Sequence, residues 1–231
     1  MSKYEGNDHY LDTETGILKN KLGIGDEDEL KEAEASLLAW RSFQLAENPI
    51  EGRFDLDHLK AIHKHLFCDV YEWAGELRNI DLSKENSYFA NHKHIVSAAR
   101  PVFEKLAEEG FLQGLDAAAF STRAAHYLGE INALHPFREG NSRAQREFIN
   151  HLAFRNGYFI EWKNISQDDM MQASIESFHR ADYTVFDVGF LCDGNFKVFS
   201  RNNDLLRKYF AHCRFFEEYL PHPLKRAVRS K

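Results

Sequence analysis

HPFREGNSRAQR, residues 135–146, joins the end of one helical pattern to the start of another. Gly140, Asn141 and Ser142 form a small turn that feeds a helix N-terminus. Such a turn aims backbone N–H groups at one point, where the helix dipole adds to their pull on an anion. Arg143 and Arg146 stand three residues apart and share one face of the following turns. Cations at a helix N-terminus oppose the dipole, so an anionic partner is expected between them. Glu139 sets a carboxylate beside that site, in the manner of a magnesium ligand completed by phosphate oxygens. His135, with an ordinary pKa near neutrality, is placed to take a proton from an attacking hydroxyl. Each residue alone has a plainer reading: a turn, a helix C-cap, a solvated ion-pair face. Their concentration in twelve residues favours nucleotide phosphate chemistry, with Phe137 as the apolar anchor of the loop.

Outward from this stretch, helical spacing dominates. A helix is expected from about Asp116 to Leu134, burying Phe120, Tyr127, Leu128, Ile131 and Leu134, and another from about Arg143 to Asn156, closed by Gly157. Upstream, DEDELKEAEASLLAWRSFQLAEN (26–48) places Leu30, Ala33, Leu37 and Trp40 on one face, with acidic residues in its first turn. FDLDHLKAIHKHLF (54–67) reads as a helix capped by Asp55 or Asp57. Residues 94–109 form a further helix with Pro101 in its early turns and Gly110 at its end. Between these, LRNIDLSKENSYFAN (77–91) alternates apolar and polar residues, as a two-stranded hairpin does. Ser166 is expected to cap one more helix, with Asp169 three residues on.

Composition narrows the class. The chain has 231 residues, 43% hydrophobic and 28% charged, with a net charge of −7. That balance argues against direct nucleic-acid binding, which needs a basic footprint. Residues 1–16 carry no signal-peptide core, and no stretch reaches the ~18 apolar residues of a membrane span. Cys68, Cys192 and Cys213 offer neither a disulfide framework nor a metal clip, which points to a reducing cytoplasm. Residues 187–231 hold nine Lys and Arg against five Asp and Glu, ending in LKRAVRSK. This stretch reads as an appended unit or a partly ordered extension. Among twelve histidines, His63 and His65 point about 160° apart on a helix and so do not converge on a metal. His92 and His94 lack a nearby pair of carboxylates.

The motif resembles that of the Fic family, HxFx(D/E)GNGRxxR, with Ser142 in place of the second Gly. The likeness extends through FDLDHLKAIHKHLFCDVYEWAGELR (54–78), the hairpin, and ASIESFHRADY (173–183). The resemblance implies an all-α Fic fold over residues 1–186, with a small β-hairpin flap at about 77–91 over the active site and 187–231 as a C-terminal extension. It implies transfer of AMP from ATP to a Ser, Thr or Tyr hydroxyl of a target protein. His135 would be the base and Glu139 the Mg²⁺ ligand. Gly140, Asn141 and Ser142 would form the anion hole, with Asn141 near the α-phosphate. Arg143 and Arg146 would bind the β- and γ-phosphates. Leu77, Arg78, Asn79 and Ile80 would dock the target at the flap, with Tyr88 and Phe89 over the site.

In the related Doc proteins a Lys stands at the position of Ser142, the nucleotide binds reversed, and the γ-phosphate is transferred. Ser is nearer to Gly, which favours AMP transfer; a Doc-like kinase and a catalytically weak nucleotide-binding protein are the alternatives. Ser at this position is strained if it must take positive φ and tolerated if it simply opens the helix. The family's inhibitory pattern [ST]xxxE[GN] is not found around any Glu-Gly or Glu-Asn in the chain. Ser42 misses Glu47 by one position. A separate small antitoxin supplying the inhibitory Glu is therefore expected. The resemblance further implies a toxin or effector, acting on a protein such as a type II topoisomerase subunit, cytoplasmic or passed to a recipient or host cell by type IV secretion.

Overall fold

A computed structural model describes residues 8–84, 87–160, 162 and 196–198. Five helices build it: α1 (Glu27–Glu47), α2 (Leu56–Phe67), α3 (Ile95–Glu108), α4 (Ala117–Leu134) and α5 (Asn141–Arg155). Strands β1 (Ser83–Lys84) and β2 (Ser87–Tyr88) pair antiparallel, as do β3 (Tyr158–Ile160) and β4 (Phe196–Val198). The structure is thus mostly helical, as expected. The flap ladder is two residues long on each side, much shorter than the span 77–91. The β3–β4 pair was not anticipated, since three-residue strands are too short to show an alternation.

Local chemistry explains where the helices start. Asp26 accepts from the N–H groups of Asp28 and Glu29, and Asp116 from that of Ala119. Asp55, not Asp57, caps α2 by accepting from His58 N–H at 2.9 Å. Helix α3 runs through Pro101, which gives up the bond its N–H would make one turn back. Helix α5 begins at Asn141, two residues ahead of the expected start.

Helix α5 packs against both α2 and α4, while α1 lies on α2 and α3 on α4. Leu59, Ile62, Leu66 and Phe67 of α2 meet Phe120, Leu128 and Ile131 of α4 and Phe148, Ile149 and Leu152 of α5 in one continuous core. The loop between α4 and α5 is driven into this core by Phe137, which is 0% exposed. Burying a side chain of this size stabilises by about 2–3 kcal/mol, enough to hold the loop in one place. No described helix is long and apolar enough to cross a membrane. The expected helix at Ser166, the segment 173–183, and the extension apart from 196–198 lie outside the described residues.

Candidate active site

The loop between α4 and α5 is fixed at nearly every residue. His135 ends α4 in the left-handed conformation at φ 44°, with its N–H donating to the Ile131 carbonyl at 3.2 Å. That backbone is uncommon for a residue with a Cβ and is held by its surroundings. The His135 carbonyl accepts from Arg78 Nε at 2.7 Å. Its ring stacks on Phe89, centroids 3.8 Å apart and planes 15° apart. The imidazole is therefore sandwiched against the end of the flap.

Asn141 braces the turn. Its Oδ1 accepts from Phe137 N–H at 2.9 Å and its Nδ2 donates to the Phe137 carbonyl at 2.7 Å. The buried amide thus bonds both the N–H and the carbonyl of Phe137 and sets the shape of the turn. Gly140 caps α5 at φ 81°, and a Cβ there would lie 2.3 Å from the Phe67 ring. Both backbone and space demand glycine. Ser142 is an exposed residue inside α5 and is not among the residues with positive φ. The strain considered for Ser142 does not arise.

Around the turn stand three charged side chains. Glu139, 38% exposed in its side chain, accepts from Gly140 N–H at 2.9 Å through Oε1. Arg143 Nη2 lies 3.4 Å from the same oxygen, and its guanidinium sits 4.9 Å over the Phe67 ring. Among the described residues Arg146 forms no ion pair. Its Nε donates to the Ser142 carbonyl at 3.2 Å, and Trp162 lies beneath its guanidinium at 6.0 Å. Burial, and then the charge of Arg143, make the Arg146 cation less favourable, with Glu147 opposing. An anion between the two arginines relieves this. Among the described residues no group of three or more His, Cys, Asp or Glu could hold a metal ion. Glu139 is a carboxylate that could serve a cation whose shell phosphate oxygens and water complete.

The flap residues divide. Arg78 is 2% exposed and donates to the carbonyls of His135, Ile80 and Ala90, while its own N–H donates to the Pro136 carbonyl at 2.9 Å. It is the bolt between flap and loop and is not available to a target, which corrects the expectation from the sequence. Leu77 and Ile80 are partly buried and Asn79 is exposed. Phe89 covers His135, and the Tyr88 side chain lies outside the described residues.

Two supports escaped the sequence reading. His63 Nδ1 accepts from Gly75 N–H at 2.8 Å, so its Nε2 carries the proton and donates to the Glu139 carbonyl at 2.9 Å. Its ring stacks on Phe137 at 3.8 Å. Burial lowers its pKa to about 4, keeping the ring neutral. Arg138 is paired with Asp8, both side chains 4% exposed, at 2.6 Å. The sequence signal for His63 was its place on the apolar face of α2, beside Ile62 and Leu66. Nothing in the sequence marked Arg138 and Asp8 as a pair.

A family model described as Fic/DOC family matches residues 53–153. The chain is 53% identical over 180 residues to the protein adenylyltransferase VbhT of Bartonella schoenbuchensis, covering 78% of this chain and 38% of that protein. It is 37% identical over 170 residues to the Probable protein adenylyltransferase Fic of Escherichia coli, covering 74% of this chain and 84% of that one. The crystal structure of the BepC protein of Bartonella tribocorum, a VirB-translocated effector with bound AMPPNP, superposes with a TM-score of 0.76 at 26% identity. That match covers 83% of this chain and 97% of that one.

Proposed function

This chain belongs to the Fic/DOC family, and on that footing we propose that it is a protein adenylyltransferase, moving AMP from ATP onto a hydroxyl of a target protein. The observation that carries the reading is the left-handed His135 at the end of α4, held against an anion-binding turn that opens α5 beneath Arg143 and Arg146. In the reaction the hydroxyl oxygen bonds to the α-phosphorus, the bond to the bridging oxygen of the β-phosphate breaks, and pyrophosphate leaves. His135 takes the hydroxyl proton as this bond forms. The N–H groups at the start of α5 face the phosphate oxygens. Arg143 and Arg146 offset the charge gathering on pyrophosphate. Magnesium, when bound by Glu139 and phosphate oxygens, would neutralise further charge on the β- and α-phosphates. Arg78 and Phe89 keep the imidazole in place, and the exposed Asn79 and the flap edge receive the target segment.

Ser142 inside the helix leaves the Gly140–Asn141 turn undistorted and adds no charge, which supports AMP transfer over the reversed binding of a Lys-bearing relative. Catalysis is assigned to residues 1–186, with 187–231 as an extension. Regulation by a separate antitoxin that lends a Glu to Arg146 fits the absence of any ion pair on that arginine among the described residues. A topoisomerase subunit as target, and delivery by type IV secretion, follow from family likeness; the modified peptide in the experiment below names the target. The experiment is mass spectrometry of a lysate incubated with the chain, ATP and magnesium. The added mass of one AMP on Ser, Thr or Tyr is expected. The added mass of one phosphate would replace this reading with a Doc-like kinase.

A further inference from the structure

Helix α1 buries Leu30, Glu34, Leu37, Leu38 and Leu45 along one stripe. Glu34 breaks that stripe with a carboxylate whose side chain is 10% exposed. Burying a charge costs several kcal/mol after relaxation, and a leucine would fill the stripe without that cost. The carboxylate is fully engaged. Its Oε1 accepts from Arg143 Nη1, across 109 residues of sequence, and its Oε2 accepts from the Tyr71 hydroxyl at 2.5 Å. Burial, reinforced by the Glu34 charge, pushes the Tyr71 phenol far above its ordinary value, so it remains a donor.

We propose that Glu34 is a positioning residue for Arg143, clamped by Tyr71 so that the guanidinium is held toward the phosphate turn; this rests on the adenylyltransferase reading above. Arg143 has two carboxylates within reach, Glu34 and the 3.4 Å neighbour Glu139. With Glu34 neutralised, only Glu139 remains, and Arg143 closes onto it. One displacement then spoils two functions, because the arginine leaves the phosphates and the carboxylate is withdrawn from a divalent cation. A shift of about 1 Å in such a clamp costs up to ~100-fold in rate.

The test is a double-mutant cycle on the full chain, reading both label transfer from α-labelled ATP and equilibrium binding of a fluorescent ATP analogue. Glu34→Gln is expected to lower transfer about 10- to 100-fold and to weaken nucleotide binding. In an Arg143→Ala background the same substitution is expected to change either readout less than about twofold. Tyr71→Phe, which removes only the hydroxyl, is expected to show a smaller loss that also vanishes with Arg143. It carries the cycle if Glu34→Gln does not fold. Equal factors in both backgrounds, or a Glu34→Gln enzyme like the wild type, overturn the proposal. If the wild type transfers no label, the adenylyltransferase reading falls, and coupling in nucleotide affinity still decides the role of Glu34.

Discussion

The loop at 135–146 and the described part of the flap at 77–91 are held in different ways. The loop is fixed from within the core: Phe137 is buried, Asn141 bonds both ends of the Phe137 backbone, and His63 holds the Glu139 carbonyl. The described ties of the flap lie near its two ends. Arg78 ties it to His135, Ala90 N–H donates to the Ala133 carbonyl at 3.2 Å, and Asp81 accepts from His92 N–H and Asn91 Nδ2, each at 2.8 Å. Beyond those ties the ladder is two residues long. The difference separates chemistry from recognition. On the proposed function, the groups that act on phosphate are the ones pre-organised by the core.

The comparison predicts large effects in the loop and small ones in the flap. Gly140→Ala is the strongest case, since a Cβ at φ 81° and 2.3 Å from Phe67 forces the turn apart. A loss of about 3–5 kcal/mol in urea unfolding and near-complete loss of label transfer are expected. Acid comes next. Burial lowers the pKa of His63 and of His151 to about 4, the latter aided by His58 and His65. Unfolding lets both rings return toward about 6.5, so the unfolded chain binds more protons between those values. Stability is therefore full above about pH 6.5 and falls as pH drops toward 4, by about 2 kcal/mol per ring at pH 5. Unfolding midpoints that do not move between pH 7 and 5 would contradict this.

Asn141→Ala strands the Phe137 N–H and carbonyl and should cost about 1–3 kcal/mol in the same unfolding assay, with transfer reduced in parallel. In the flap, Asp81→Asn should change unfolding free energy by less than about 1 kcal/mol, because the Asp81 side chain is itself 57% exposed. It should instead raise the KM for the target more than that for ATP. Smallest of all is Ser142→Gly, a helical position without strain, where a loss of at most about 1 kcal/mol from the glycine and less than a tenfold change in transfer are expected.

Helices α1, α2 and α4 were legible because capping aspartates and apolar spacing are local signals, as at Asp26, Asp55 and Asp116. The candidate site residues stood out because their chemistry is packed into twelve consecutive positions. What held them did not. Arg78 looked like an exposed flap residue because a buried arginine serving backbone carbonyls leaves no pattern in sequence. The bracing of Phe137 by Asn141 was not legible because it depends on a turn only the fold defines. Glu34 could have been noticed as the one carboxylate on the buried stripe of α1, but its partner lies 109 residues away.

The most direct measurement is a crystal structure of the chain with a non-hydrolysable ATP analogue and magnesium, set beside one without nucleotide. Residues 135–146 are expected to superpose within about 1 Å, with the phosphates at the start of α5 and the His135 imidazole facing the α-phosphorus. A loop that refolds around the nucleotide, or phosphates seated elsewhere, would contradict the account.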